Sequence, residues 1–217
     1  MTVEVQSANR QVAGFAIITI AWIFSSTSMG LVEWRVCHMD DPSFSLSSVV
    51  CVGMWRFCVY SHDSNFSKAK RCHQYRNTFL PADIRTAQHL LLAASALGFL
   101  GKACAILGLR NVHLRTPEED GARKPFIMAG TLTIAACACL SIAAFWNCYS
   151  VMNEERIYFP LSFHVPFQPG SQEMGSTMVV ALLSAFLLLL SGIFFLSYRY
   201  PLKTQEFELA LRPEKQS

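Results

Sequence analysis

The sequence predicts an α-helical membrane protein, a bundle of four transmembrane helices carrying a small antiparallel β-structure in an outer loop. Three observations predict it. Hydrophobic residues make up 52% of the chain and charged residues only 15%. The apolar residues come in four long blocks, and blocks of about 18 or more residues with few charges cross a bilayer as helices. The polar residues between the blocks form one large loop, two shorter loops and a tail. The net charge of +3 comes without a concentrated basic run, so no nucleic acid is expected as a partner.

The elements follow in order. Residues 1–11 are polar and short. The first span covers 12–32, longer than the apolar core of a secretory signal, about 7–15 residues, so it is expected to be retained. The first outer loop covers 33–85. Within it, Ser48–Val52 and 56–60 read as two strands around a turn at Gly53, being β-branched and aromatic segments bounded by Gly and Ser. The second span, 86–109, contains Lys102. A charge at mid-membrane costs about 2.5–3.5 kcal/mol, and the lysine stem is expected to snorkel toward the Leu109 end. Ala93, Ala94, Ala96, Gly98 and Gly101 offer small surfaces for close helix packing.

Residues 110–124 form a polar loop. Pro125 is expected in the first turn of the third span, 125–148, where its missing N–H costs nothing. The second outer loop, 149–174, is rich in aromatics and proline. The fourth span, 175–196, has no charge, and 197–217 is a polar tail. Closed helices satisfy their own backbone in lipid, so four of them with small residues imply a packed bundle.

Four spans put both ends on one side. By raw count, nine Lys/Arg on the end-bearing side face eight in the other two loops. The positive-inside rule applies best to short loops. The 110–124 loop holds Arg110, Arg115, Arg123 and Lys124, whereas the 149–174 loop holds Arg156 alone. That places the termini and 110–124 in the cytoplasm and the large loop outside. Asn65-Phe66-Ser67 in that loop is a glycosylation sequon.

The chain has eight cysteines, and four of them, Cys37, Cys51, Cys58 and Cys72, share the large loop. Outside the cell such a cluster means disulfides; in the cytosol it would suggest metal. A bridge from Cys58 to Cys72 would close a loop and stabilise by about 3 kcal/mol. Cys37 and Cys51 form a second bridge or stay as thiols. His38, His62 and His73 accompany them, but no tight pair of cysteines provides a metal spacing, so neither metal nor cofactor is expected. No nucleophile motif, phosphate loop or paired carboxylates argue for an enzyme. Asp40-Asp41 before Pro42 reads as a solvated turn.

Trp34, then Gly53-Met54-Trp55, then Cys58 and Cys72, on a four-span plan, resembles the claudin family, as a divergent member of it. Tyr158-Phe159-Pro160-Leu161 and Glu173-Met174-Gly175 are also claudin-like. The resemblance implies a tight-junction protein of the plasma membrane whose two outer loops make one small antiparallel sheet. It implies a Cys58–Cys72 bridge and Trp34 packed at the membrane surface. It also implies partners: itself and other claudins, beside it in the same membrane and across from it on the adjacent cell. Tyr158 and Phe159 are candidates for contact across cells. Met54 stands where the family usually has leucine, and Cys37, Cys51 and Asn65 are additions. The terminal Lys215-Gln216-Ser217 lacks the hydrophobic last residue that a PDZ pocket takes, so no PDZ scaffold is expected.

The function so implied is cell–cell adhesion and control of paracellular permeability. The alternative is an auxiliary subunit of a channel or receptor, or a protein like the myelin and epithelial membrane proteins of similar signature. Lys68, Lys70, Arg71 and Arg76, opposed by Asp63 alone, would favour anions in any pore that they line.

Overall fold

The computed structural model describes residues 2–39, 48–62, 68–75, 82–114, 119–154, 157 and 170–197; at 2–8, 48, 61–62, 68–70 and 119–122 the backbone alone is described. Four helices, α1 (Thr2–Gly30), α2 (Ala82–His113), α3 (Glu119–Met152) and α4 (Thr177–Leu196), make the bundle. Each holds a segment long and apolar enough to cross a membrane. The helices pack as a ring, α1 on α2 and α4, and α3 on α2 and α4.

The helices run beyond the apolar blocks. Polar residues from Thr2 onward join α1, and most of 110–124 is helical. A helix has no need to stop where lipid ends, because its backbone bonds are internal. Pro125 therefore lies inside α3 rather than in its first turn. The cost is one missing i→i−4 bond near the helix start.

Small and hydroxyl residues set the helix spacing. Ala94, Gly98, Gly101, Ala105 and Gly108 are buried along α2. Serine and glutamine side chains join α1 to α4: Gln11 Nε2 donates to the Phe194 carbonyl, Ser191 to Gly14 and Ser184 to Ala21, at 2.8–3.0 Å. Such bonds replace the hydrophobic drive that lipid removes between helices.

Lys102 does not reach toward Leu109. Its Nζ stands 3.5 Å from the centroid of the Trp22 ring and 5.8 Å from that of Phe99. Helical side chains lean toward the N-terminus, over the preceding turn, and there the lysine meets aromatic faces that attract a cation. Trp22 is itself held by a bond from Nε1 to the Ser95 carbonyl, 3.0 Å.

Among the described residues, five antiparallel strands form one sheet in the order β4-β3-β2-β1-β5. They are β1 (Arg35–Met39), β2 (Ser48–Val52), β3 (Arg56–His62), β4 (Lys68–Gln74) and β5 (Ser171–Met174). The hairpin of β2 and β3 about Gly53 is the one that the β-branched pattern predicts. β5 comes from the second loop, so both loops build a single sheet, as the family resemblance implies. β4 and β5 carry polar residues at most positions, and β1 mixes Arg35 and His38 with Val36, Cys37 and Met39, so none of the three shows a hydrophobic alternation that would reveal it.

Candidate functional site: a disulfide-locked sheet and its polar anchor

The sheet is seated on one end of the bundle by β1. Arg35, Cys37 and Met39 alternate with Val36 and His38, and the first set is buried. Arg35 is a buried cation among apolar neighbours, and such a charge needs partners. It has two: Nη2 lies 2.5 Å from Asp83 Oδ2, and Nε donates to Asn147 Oδ1 at 2.6 Å. Ser150 Oγ donates to the same Asp83 oxygen at 3.0 Å. Asn147 Nδ2 returns a bond to the Trp34 carbonyl at 3.4 Å. One network thus joins β1, the start of α2 and the end of α3. Of its members the sequence singled out only Trp34; Arg35, Asp83, Asn147 and Ser150 were missed.

The signature residues surround this anchor. Trp34 is buried, and its Nε1 donates to the Ser28 carbonyl at the end of α1, 2.9 Å. Gly53 makes the β2–β3 turn, its N–H donating to the Arg56 carbonyl at 3.0 Å. A Cβ there would come within 2.9 Å of backbone atoms of Val32, Leu31 and Arg56, so only glycine fits. Met54 is buried, and its carbonyl accepts from Gln88 of α2 at 2.6 Å. Trp55 is 41% exposed. Tyr75 donates to the Gly53 carbonyl at 3.0 Å, and burial raises its pKa above the usual tyrosine value.

Cys58 and Cys72 are bridged, with sulfurs 2.03 Å apart, across directly paired positions of β3 and β4. The second candidate bridge does not form. Cys37 pairs with Val50, and Cys51 with Val36. Opposed residues share a face and neighbours along a strand alternate, so Cys37 and Cys51 point to opposite faces. Both stay as buried thiols. Burial, opposed by the Arg35 charge, pushes the Cys37 thiol up to about 12.

The second loop is locked to the first at Gly175. Its N–H donates to the Trp34 carbonyl, and that of Thr177 to Glu33, at 3.2 and 3.1 Å. Ser176 Oγ donates to the Glu33 carboxylate. At the outer end of β1, His38 Nε2 lies 3.7 Å from Glu173 Oε2.

The basic candidates divide. Arg71 is exposed on β4; Lys68 and Lys70 pair with His62 and Tyr60 along that strand. Arg76, Asn65, Tyr158 and Phe159 lie outside the described residues. Among the described residues no three His, Cys, Asp or Glu converge as metal ligands. The site therefore presents a surface: a disulfide-bridged sheet on which Trp55 and Arg71 are exposed.

These features define an integral membrane protein that carries a disulfide-locked β-sheet on one end of a four-helix bundle. The chain belongs to the PMP-22/EMP/MP20/claudin family, whose model matches residues 15–197. Claudin-2 of Bos taurus is 22% identical over 191 residues, covering 87% of this chain and 77% of that protein. Claudin-1 of Mus musculus is 22% identical over 205 residues, covering 93% and 90%. Claudin-7 of Rattus norvegicus is 23% identical over 166 residues, covering 70% and 76%.

Proposed function

We propose that this protein joins neighbouring cells at tight junctions and controls what passes between them, with its sheet and Cys58–Cys72 bridge outside the cell. The role is structural rather than catalytic. The observation that carries it is the pairing of β5 with β1, from Arg35–Met174 to His38–Ser171. It fuses the two loops into one platform, and the description of the matching family names the tight junction. Partners are further copies and other claudins, in the same membrane and on the facing cell. Exposed Trp55 and the 158–159 aromatics are the candidate contacts. A basic β4 would give any pore between copies a preference for anions.

Freeze-fracture microscopy of fibroblasts expressing the chain alone tests this reading. Strands at contacts, lost with Trp55→Ala, are expected. Smooth contacts despite full surface expression, alone and with a strand-forming claudin, would overturn it. Co-purification with a channel, with no enrichment at contacts, would point to an auxiliary subunit instead.

A further inference from the structure

Three cysteines stand side by side across three neighbouring strands. Cys51 of β2 is the register partner of Cys58 in β3, and Cys58 is the partner of Cys72 in β4. Directly opposed residues of antiparallel strands share a face, with Cβ atoms about 4.5–5.5 Å apart. The three side chains therefore form one row, with Cys58 in the middle. Cys58 is bridged to Cys72, and Cys51 is a thiol. We propose that Cys51, Cys58 and Cys72 form a thiol–disulfide exchange site that opens Cys72 to covalent modification.

Exchange requires a thiolate to attack one disulfide sulfur while the other departs. The strand order puts the attacker on one side of Cys58 and the leaving group on the other. In the step, the Cys51 thiol gives its proton to solvent and its sulfur bonds to Cys58 Sγ. The Cys58–Cys72 bond breaks, and its electron pair leaves on Cys72 Sγ, which takes up a proton. One disulfide and one thiol are present before and after, so no oxidant or reductant is consumed.

Burial gives the step a direction in space. Cys51 and Cys58 are buried, whereas Cys72 is exposed. Exchange moves the bridge inward and leaves a thiol on an edge strand, open to an electrophile or a mixed disulfide. β4 is then held to β3 without a covalent tie, by its backbone ladder and side-chain contacts such as that of the Phe57 and His73 rings. The alternative bridge closes the shorter segment, 51–58, so it restrains the open chain less. Cys58–Cys72 is accordingly the resting bridge. Cys37, on the opposite face, takes no part.

The test uses full-length protein in detergent micelles, exposed to a maleimide without reductant, with each cysteine mapped by mass spectrometry. Cleavage after Arg56 separates Cys51 from Cys58, so a bridge between them appears as a linked peptide pair. Slow alkylation of Cys72 with accumulation of that pair is expected for the natural chain. Cys51→Ser should abolish both, and Cys37→Ser should change neither. In Cys72→Ser, where Cys51 and Cys58 are both thiols, mild oxidation by an added disulfide such as oxidised glutathione should yield the same Cys51–Cys58 linked pair. Equal alkylation of Cys72 with and without Cys51, none in either, or no linked pair in the oxidised Cys72→Ser protein would overturn the proposal. Should Cys51→Ser fail to fold, the linked pair in the natural chain and the Cys72→Ser result decide. The experiment needs neither junction strands nor a facing cell, so its outcome is separate from the adhesion reading.

Discussion

Arg35 and Asp83 form a buried ion pair, 2.5 Å between Nη2 and Oδ2, that ties the first strand of the sheet to the second helix. Asp83 stands at the second residue of α2, where a carboxylate is also favoured by the helix N-terminus. Removing one partner leaves the other charge buried. Arg35→Met should therefore destabilise by about 3–5 kcal/mol, and the double variant Arg35→Met, Asp83→Leu should recover most of that loss. Arg35→Lys should not rescue, because a single ammonium cannot hold Asp83 and Asn147 as the guanidinium fork does. Thermal unfolding in detergent checks this. An Arg35→Met protein as stable as the natural one would remove the anchor from the account.

Gly175 sits where the backbone of the second loop presses on that of the first. A Cβ at Gly175 would overlap the Glu33 carbonyl, which is backbone and cannot swing aside. Gly175→Ala should thus separate β5 from β1 and cost at least about 3 kcal/mol, the upper end of overpacking penalties. Gly30 is the control. Nothing lies within 4 Å of a Cβ there, so Gly30→Ala should be neutral or stabilise by up to about 1 kcal/mol. Equal effects of the two substitutions would show that the close approach is unimportant.

Sequence patterns revealed the parts of this fold whose physics is local. Four apolar blocks are legible because lipid demands them, and the hairpin about Gly53 because Val49, Val50, Val52, Phe57, Val59 and Tyr60 flank a turn glycine. β4 was not legible: Lys-Ala-Lys-Arg-Cys-His-Gln has no apolar alternation to announce it, and its pairing with β3 is fixed at Cys58–Cys72. β5, Ser-Gln-Glu-Met, is extended because β1 offers it an edge. The anchor was illegible for another reason. Arg35, Asp83 and Asn147 are 48 and 112 residues apart in the chain, and each alone looks like an ordinary loop or helix-end residue. The register that keeps Cys37 from Cys51 is likewise a tertiary fact.

Alkaline pH should loosen the sheet through Cys37. Its ordinary value is 9.0, and burial lifts it to about 12 in the folded protein. Above pH 9 the unfolded chain loses this proton while the folded chain keeps it. Fewer protons are then bound in the unfolded state, so stability falls as pH rises. The contribution is complete below pH 9 and declines progressively up to about 12. Tyr75, also raised by burial, adds a loss of the same sign from its ordinary 10.0 upward. Denaturation midpoints measured from pH 8 to 11 should fall less steeply for Cys37→Ala than for the natural chain. Parallel curves would contradict the assignment to Cys37.

Lys102 and Trp22 offer a test inside the bundle. The ammonium lies on the indole face, and the indole N–H is spent on the Ser95 carbonyl, so the ring is fixed where the cation needs it. A desolvated cation–π contact contributes about 2 kcal/mol. Trp22→Leu removes that contact and the ring's packing, and leaves a charge among apolar side chains. Lys102→Met removes the charge together with its desolvation cost. Lys102→Met should therefore be close to neutral, and Trp22→Leu strongly destabilising. Trp22→Leu should cost less when Lys102 is already Met, by about 2 kcal/mol in a double-mutant cycle. Cycle energies near zero would mean that the lysine rests on the ring without being held by it.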